Sequence, residues 1–390
     1  MVETKLEAIE QLMLGLAIAI SEGDRGLELR AYFHLGDAYV NLPDYQEAIK
    51  NYTEALNIFR EKGCRAEEGA VSCILGNVYF KLGNFKQAIE YFEKRLSITK
   101  EVADRAGEGS TYRNLGNGYL SLGNFKQAIE YYEKSLSIAK EVGDRAREGS
   151  AYRNIGIAYR SLGNFEQAIE YYEKSLSISK EVADRAGEGS AYGNLGNAYL
   201  NLGNFKQAIE YYEKHLTIAK EVGDRAGEGS TYGNLGNAYL NLGNSKQAIE
   251  YYEKHLTIAK EVGDRAGEGS TYGNLGNAYL NLGNSKQAIE NYEKDLSIAK
   301  EVGDRAGEGL AYGNLGHAYL NVGNFRKAIE YCKKYLSFAK EVGDRAGEGS
   351  AYGNLGIAYL KVGDRAGEGL GYGNLGSAYC SVGNFKQAIE

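Results

Sequence analysis

The sequence predicts an all-α fold, a solenoid of stacked antiparallel helix pairs, on three observations. The chain repeats itself every 40 residues: Ala48-Ile49, Ala88-Ile89 and so on to Ala328-Ile329, and Tyr39, Tyr79 and so on to Tyr319. Such a fixed period marks a repeat architecture. Within a repeat, apolar residues follow helical spacing, as at Tyr192, Leu195, Gly196 and Tyr199. Finally, 52 Gly beside 1 Pro in 390 residues does not describe a loop-rich chain.

The elements follow in order. Residues 1–23 read as the second helix of an incomplete N-terminal repeat, because Ala8-Ile9-Glu10 stands 40 residues before Ala48-Ile49-Lys50. The same register rejects a signal peptide over Leu12 to Ile20, as do the acidic Glu3, Glu7 and Glu10 before it. Residues 24–343 hold eight complete units. In unit 184–223 the first helix is predicted from about Arg185 to Leu202. Gly203 suits a left-handed stop, and Asn204 an N-cap with Gln207 in the capping-box position. The second helix continues to about Val222, with Ala208, Ile209, Tyr212, Leu216 and Ile218-Ala219 as its apolar side and Glu210–Lys214 as a surface pair. Gly187, Gly189, Gly193 and Gly196 each cost the first helix about 0.8–1 kcal/mol. Neighbours must hold it, so an isolated unit is expected to be unfolded, and Gly196 is expected to permit close helix approach. Residues 344–363 form a first helix whose second helix is missing, and 364–390 a truncated final repeat. That uncapped end is expected to be the least ordered part or to dimerise through its open face.

Charge and chemistry exclude several functions. Lys and Arg number 45 against 52 Asp and Glu, a net charge of −7, which argues against nucleic acid as partner. No segment reaches the length of a membrane span, so no membrane insertion is expected. Cys64, Cys73, Cys332 and Cys380 lack C-x-x-C spacing, which points to a reducing, cytoplasmic compartment. His34, His215, His255 and His317 lie in different units without metal-ligand spacing. Gly227-Glu228-Gly229 lacks the ending of a phosphate loop, and Asn51-Tyr52-Thr53 is an isolated glycosylation sequon. No catalytic set is evident, so neither enzyme activity nor a cofactor is expected.

Unit 104–143 carries Tyr112-x-x-Leu115-Gly116-x-x-Tyr119, then Gly123, Ala128 and Tyr132. This resembles the tetratricopeptide repeat, with Tyr for the usual Trp and Lys140 where a helix-ending Pro is usual. The resemblance implies a right-handed superhelix. Leu-Gly-Asn occurs eleven times, which resembles the repeat domain of Pins-type G-protein-signalling modulators. That likeness implies a signalling adaptor binding segments of spindle-orientation, polarity or G-protein-signalling partners. Similar arrays also serve as sensor or self-assembly regions of signalling NTPases and proteases, whose effector domain would then be absent from this chain.

In the family fold, one flank of the first helix lines a concave groove. On a helical wheel that flank carries residues 110, 113, 117, 120 and 121. Asn117, Asn197, Asn237 and Asn277 would form an amide ladder that pairs with a peptide backbone. Leu120, Leu200, Leu240 and Leu280 would supply apolar area, with Asn201, Asn241 and Asn281 near the rim and His317 at the histidine-substituted step. Arg113 and Arg153 could clamp a carboxylate. From Gly193 onward, with Gly233, Gly273, Gly313 and Gly353, the basic prongs are absent and a wider, plainer groove is expected. The expected function is a non-enzymatic scaffold for linear peptide segments.

Overall fold

The structure, a computed structural model, describes residues 2–381. Nineteen helices and no strand occur among the described residues. They are α1 (Val2–Glu22), α2 (Arg25–Asn41), α3 (Tyr45–Glu61), α4 (Arg65–Lys81), α5 (Phe85–Glu101), α6 (Arg105–Ser121), α7 (Phe125–Glu141), α8 (Arg145–Ser161), α9 (Phe165–Glu181) and α10 (Arg185–Asn201). There follow α11 (Phe205–Val222), α12 (Arg225–Asn241), α13 (Ser245–Val262), α14 (Arg265–Asn281), α15 (Ser285–Val302), α16 (Arg305–Asn321), α17 (Phe325–Val342), α18 (Arg345–Val362) and α19 (Arg365–Ser381). Even-numbered helices are first helices, and the odd-numbered helices from α3 to α17 are the second helices that pair with them.

The boundaries have local causes. Gly123 and Gly203 take φ of 76° and 79°, the left-handed turn that ends a first helix. Asn124 then caps α7 through a bond from Gln127 N to its Oδ1 at 3.4 Å, while its Nδ2 donates to Gln127 Oε1 at 2.7 Å. Asp104 caps α6 from Gly107 N at 2.8 Å. Ala103 and Ala183 hold the left-handed turn without being glycine, at φ 53° and 56°.

The core lies where each second helix packs on the first helix of its own repeat and on that of the next. Leu115, Ile155 and Leu235 are wholly buried against second-helix residues of the preceding repeat: Leu115 against Ala88 and Phe92, Ile155 against Ala128 and Tyr132, and Leu235 against Tyr212. In most first helices one glycine is required by an aromatic ring of the second helix lying on it, and in α16 Cys332 Sγ lies over Gly316 instead. A Cβ on Gly156 would stand 2.6 Å from Tyr172 Cε1, well inside contact distance. Stacked tyrosines, such as Tyr119–Tyr131 with centroids 5.3 Å apart, join the two helices further along. At the edge, Arg105 binds Glu108 on its own helix at 2.7 Å and Glu141 at the end of α7 at 2.5 Å. Exposed pairs of this kind contribute little each.

The chain forms two compact units, Met1–Ala198 and Tyr199–Glu390. In the second unit α12 touches α14, α14 touches α16 and α16 touches α18, whereas no two second helices among the described residues touch as extensively. That unit is therefore drawn together on its first-helix side. At its end α18 is followed directly by α19, two first-type helices in succession. α19 occupies the place of the missing second helix: Tyr372 lies over Gly356, 3.3 Å from where a Cβ would be. The second helix expected after residue 383 lies outside the described residues.

Candidate binding face on the first helices

The asparagine ladder already has work inside the repeat. Tyr132 Oη donates to Asn117 Oδ1 at 2.8 Å, Tyr252 to Asn237 at 2.7 Å, and Tyr292 to Asn277 at 2.7 Å. These tyrosines are almost wholly buried, and burial raises their phenol pKa values above the ordinary value. The asparagine carbonyl is thus the partner that a buried hydroxyl needs. In the first full repeat Asp37 takes the role for Tyr52, at 2.5 Å. At Ile157 the partner is lost, and Tyr172 Oη and Arg160 Nε are both buried without a hydrogen bond.

The other expected residues fall as follows. Leu120, Leu200, Leu240 and Leu280 are half-buried and pack on the cores of their repeats. Asn201, Asn241 and Asn281 are exposed in the last turn, and Asn241 Nδ2 donates back to Asn237 O at 2.8 Å. Arg113 and Arg153 are half-buried and form no ion pair among the described residues. His317 is exposed.

Two open cavities lie side by side on the first-helix face of the second unit. One, of about 330 Å³, lies among α14, α15 and α16 and includes Ser270, Gly273, Asn274, Asn277, Asp295 and Asn314. The other, of about 460 Å³, includes His317, Tyr335, Gly353, Asn354 and Ile357. They share Leu310 and Asn314. In the first unit a smaller depression of about 50 Å³ includes Asn77, Asn114 and Asn117.

Sequence reasoning missed two rows. The first is Asn114, Asn274, Asn314 and Asn354, which borders these cavities. The second is on the second helices: Arg95, Ser135, Ser175, His215, His255, Asp295 and Tyr335, one position changing through otherwise repetitive units. The side chains of this row meet the first helix of their own repeat where Arg113 gives way to glycine. A Cβ on Gly233 would be 3.2 Å from His255 Nδ1, on Gly273 2.9 Å from Asp295 Oδ2, and on Gly313 3.2 Å from the Tyr335 ring. Ser135 and Ser175 accompany Arg113 and Arg153. The wider, plainer groove expected after residue 193 is therefore partly refilled from below by larger side chains. The signal was visible: His255 and Asp295 are among only three differences between units 224–263 and 264–303.

Most of this row is internally bonded. Arg95 Nε donates to Thr111 Oγ1 and Nη1 to Gly69 O, both at 3.1 Å. Ser135 donates to Gly109 O and Ser175 to Gly149 O, both at 2.9 Å. His215 and His255 each place Nδ1 2.8 Å from Thr231 and Thr271 Oγ1. Those threonines already donate their single proton to Gly227 O and Gly267 O at 2.6 Å, so Nδ1 carries the imidazole proton and donates. Burial lowers the pKa of both imidazoles below the ordinary value.

Tetratricopeptide repeat profiles match residues 29–62, 68–141, 147–221, 227–301 and 307–367. The chain belongs to the tetratricopeptide repeat family. Among solved structures it is similar to a signal transduction ATPase with numerous domains from Pyrococcus horikoshii that carries a tetratricopeptide repeat sensor, with 19% identity and a TM-score of 0.68. The match covers 92% of this chain and 54% of that one, so the chain spans about half the ATPase's length. Aspartyl phosphate phosphatase F from Bacillus subtilis matches with 16% identity and a TM-score of 0.58, over 85% of this chain and 93% of that one. The apo quorum sensor NprR from B. thuringiensis matches with 18% identity and a TM-score of 0.53, over 90% and 96%. No curated protein sequence matched. These likenesses show the tetratricopeptide fold. Among the described residues no helix is long and apolar enough to cross a membrane, and no group of His, Cys, Asp and Glu could hold a metal.

Proposed function

We propose that the chain is a non-enzymatic scaffold whose first-helix face binds an extended segment of a partner protein. The observation that carries this reading is the pair of adjoining cavities joined by Leu310 and Asn314. An extended segment needs such a run of pockets, with amides between them to meet its backbone whatever its side chains are. Asn274 and Asn314 suit that role better than the ladder at Asn117, Asn197, Asn237 and Asn277, because tyrosines occupy the carbonyls of Asn117, Asn237 and Asn277. Arg113 and Arg153 offer carboxylate contacts in the first unit, while Leu120, Leu200, Leu240 and Leu280 support the face from beneath. Asn201, Asn241 and Asn281 stand at its rim, and His317 borders the second cavity.

Leu-Gly-Asn does not choose the partner. In Leu115-Gly116-Asn117 the leucine fills the core, the glycine admits Tyr132 and the asparagine satisfies its hydroxyl. In Leu122-Gly123-Asn124 the last two residues turn the chain and cap α7. Both triplets describe the repeat, so a link to spindle-orientation or G-protein-signalling partners stands on resemblance alone.

A second reading, a sensor array within a larger signalling protein, is favoured by the extent of the likeness to the repeat-bearing ATPase. It uses the same face. Peptides selected by display on the full chain should protect amides of α14, α16 and α18 from hydrogen exchange. Protection confined to the second helices would overturn the proposed face.

A further inference from the structure

Asp295 is the one acid in its row. Five of its equivalents donate a proton to the fold: Arg95, His215 and His255 to the threonine of the next repeat, Ser135 and Ser175 to a glycine carbonyl. A carboxylate has nothing to donate to Gly269 O, and the next repeat carries Ala311 in place of the threonine that Arg95, His215 and His255 meet at Thr111, Thr231 and Thr271. Asp295 therefore makes no hydrogen bond or ion pair among the described residues. It is half-buried and lines the cavity of about 330 Å³.

The rest of that cavity selects the occupant. From α14 it is faced by Gly269, Ser270, Gly273, Asn274 and Asn277, and from α15 by Ile298, Ala299 and Val302. From α16 and its cap come Asp304, Ala306, Gly307, Leu310 and Asn314. Among the described residues that line it the only charged side chains are Asp295 and Asp304, and Asp304 is engaged in capping Gly307 N at 2.9 Å. Among the described residues no Lys, Arg or His lines the cavity to balance them. Leu310 stands 63% exposed on the wall, where most other repeats have serine. An acid at the floor and an aliphatic wall match a side chain with a methylene stem and a cationic head.

We propose that this cavity receives a lysine or arginine side chain of the bound segment, with Asp295 as its counter-ion. The inference rests on the reading of the first-helix face as a peptide site, and makes Asp295 a specificity-determining residue within it. Burial, with Asp304 nearby as a lesser cause, pushes Asp295 up to about 6. The acid must lose its proton to bind a cation, so affinity falls as pH drops below that value.

The test is peptide display on the full chain and on its Asp295→Ser variant, whose serine copies Ser135 and Ser175. The wild-type chain should select peptides with a basic residue at one fixed position. Asp295→Ser should select peptides lacking that preference and bind a lysine-bearing wild-type selectant, free of His, at least tenfold more weakly. For the wild type, affinity for that peptide should fall about tenfold between pH 7.5 and 5, a dependence absent from Asp295→Ser. Peptides selected without a basic preference would overturn this proposal and leave the peptide-binding face standing. Failure to select any peptide would overturn both.

Discussion

At the scale of the residue, the buried tyrosine hydroxyl accounts for the asparagine of the repeat. Ile157→Asn should restore the partner that Tyr172 lacks and stabilise the chain by about 1 kcal/mol in urea unfolding. Asn237→Ala should cost about 1–3 kcal/mol by stranding Tyr252. A gain from Asn237→Ala would refute the role. The histidines add a pH dependence. Their native pKa values are lowered, so the unfolded chain takes up protons first as pH falls through about 6.5. The stability they provide is complete above that value and declines below it. Asp295, with a raised native pKa, acts in the opposite direction. Substituting His215 and His255 by Ser leaves Asp295 unchanged, so the drop in melting temperature from pH 7.5 to 5.5 should be smaller in that variant than in the wild type.

Glycine in a helix has two meanings at the scale of the element. Gly156 is required by the Tyr172 ring, whereas a Cβ on Gly353 would meet only Leu375 at 3.6 Å, an ordinary contact. Gly156→Ala should therefore destabilise by about 1–3 kcal/mol through overpacking. Gly353→Ala should stabilise by up to about 1 kcal/mol through helix propensity, as read by denaturant midpoints. Helix order and ends were legible in the sequence because capping is local: Gly203 and Asn204 stop and start helices where the spacing places them. The binding face was only partly legible. A wheel for one helix places Asn117 on a flank, but not the ring of Tyr132 arriving from the next helix to take its carbonyl. For the same reason sequence position alone does not place His255 against Gly233 or Asp295 against Gly273.

For the whole molecule, stability is a sum over neighbours, since each first helix is too rich in glycine to stand alone. Residues 24–103, two repeats, should show little helical circular dichroism, while residues 24–183, four repeats, should fold cooperatively. A fully helical two-repeat piece would contradict this. The same dependence leaves the repeats free to vary wherever a side chain does not hold its neighbour. The second-helix row ending in Asp295 and Tyr335 shows both behaviours: Arg95, His215 and His255 bond the next repeat, whereas Asp295 does not. The most direct measurement concerns Asn274 and Asn314, which border the larger cavities and make no hydrogen bond among the described residues. With both changed to alanine, affinity for a display-selected peptide should drop at least tenfold while the unfolding midpoint stays unchanged. Undiminished affinity in a folded double variant would contradict the account.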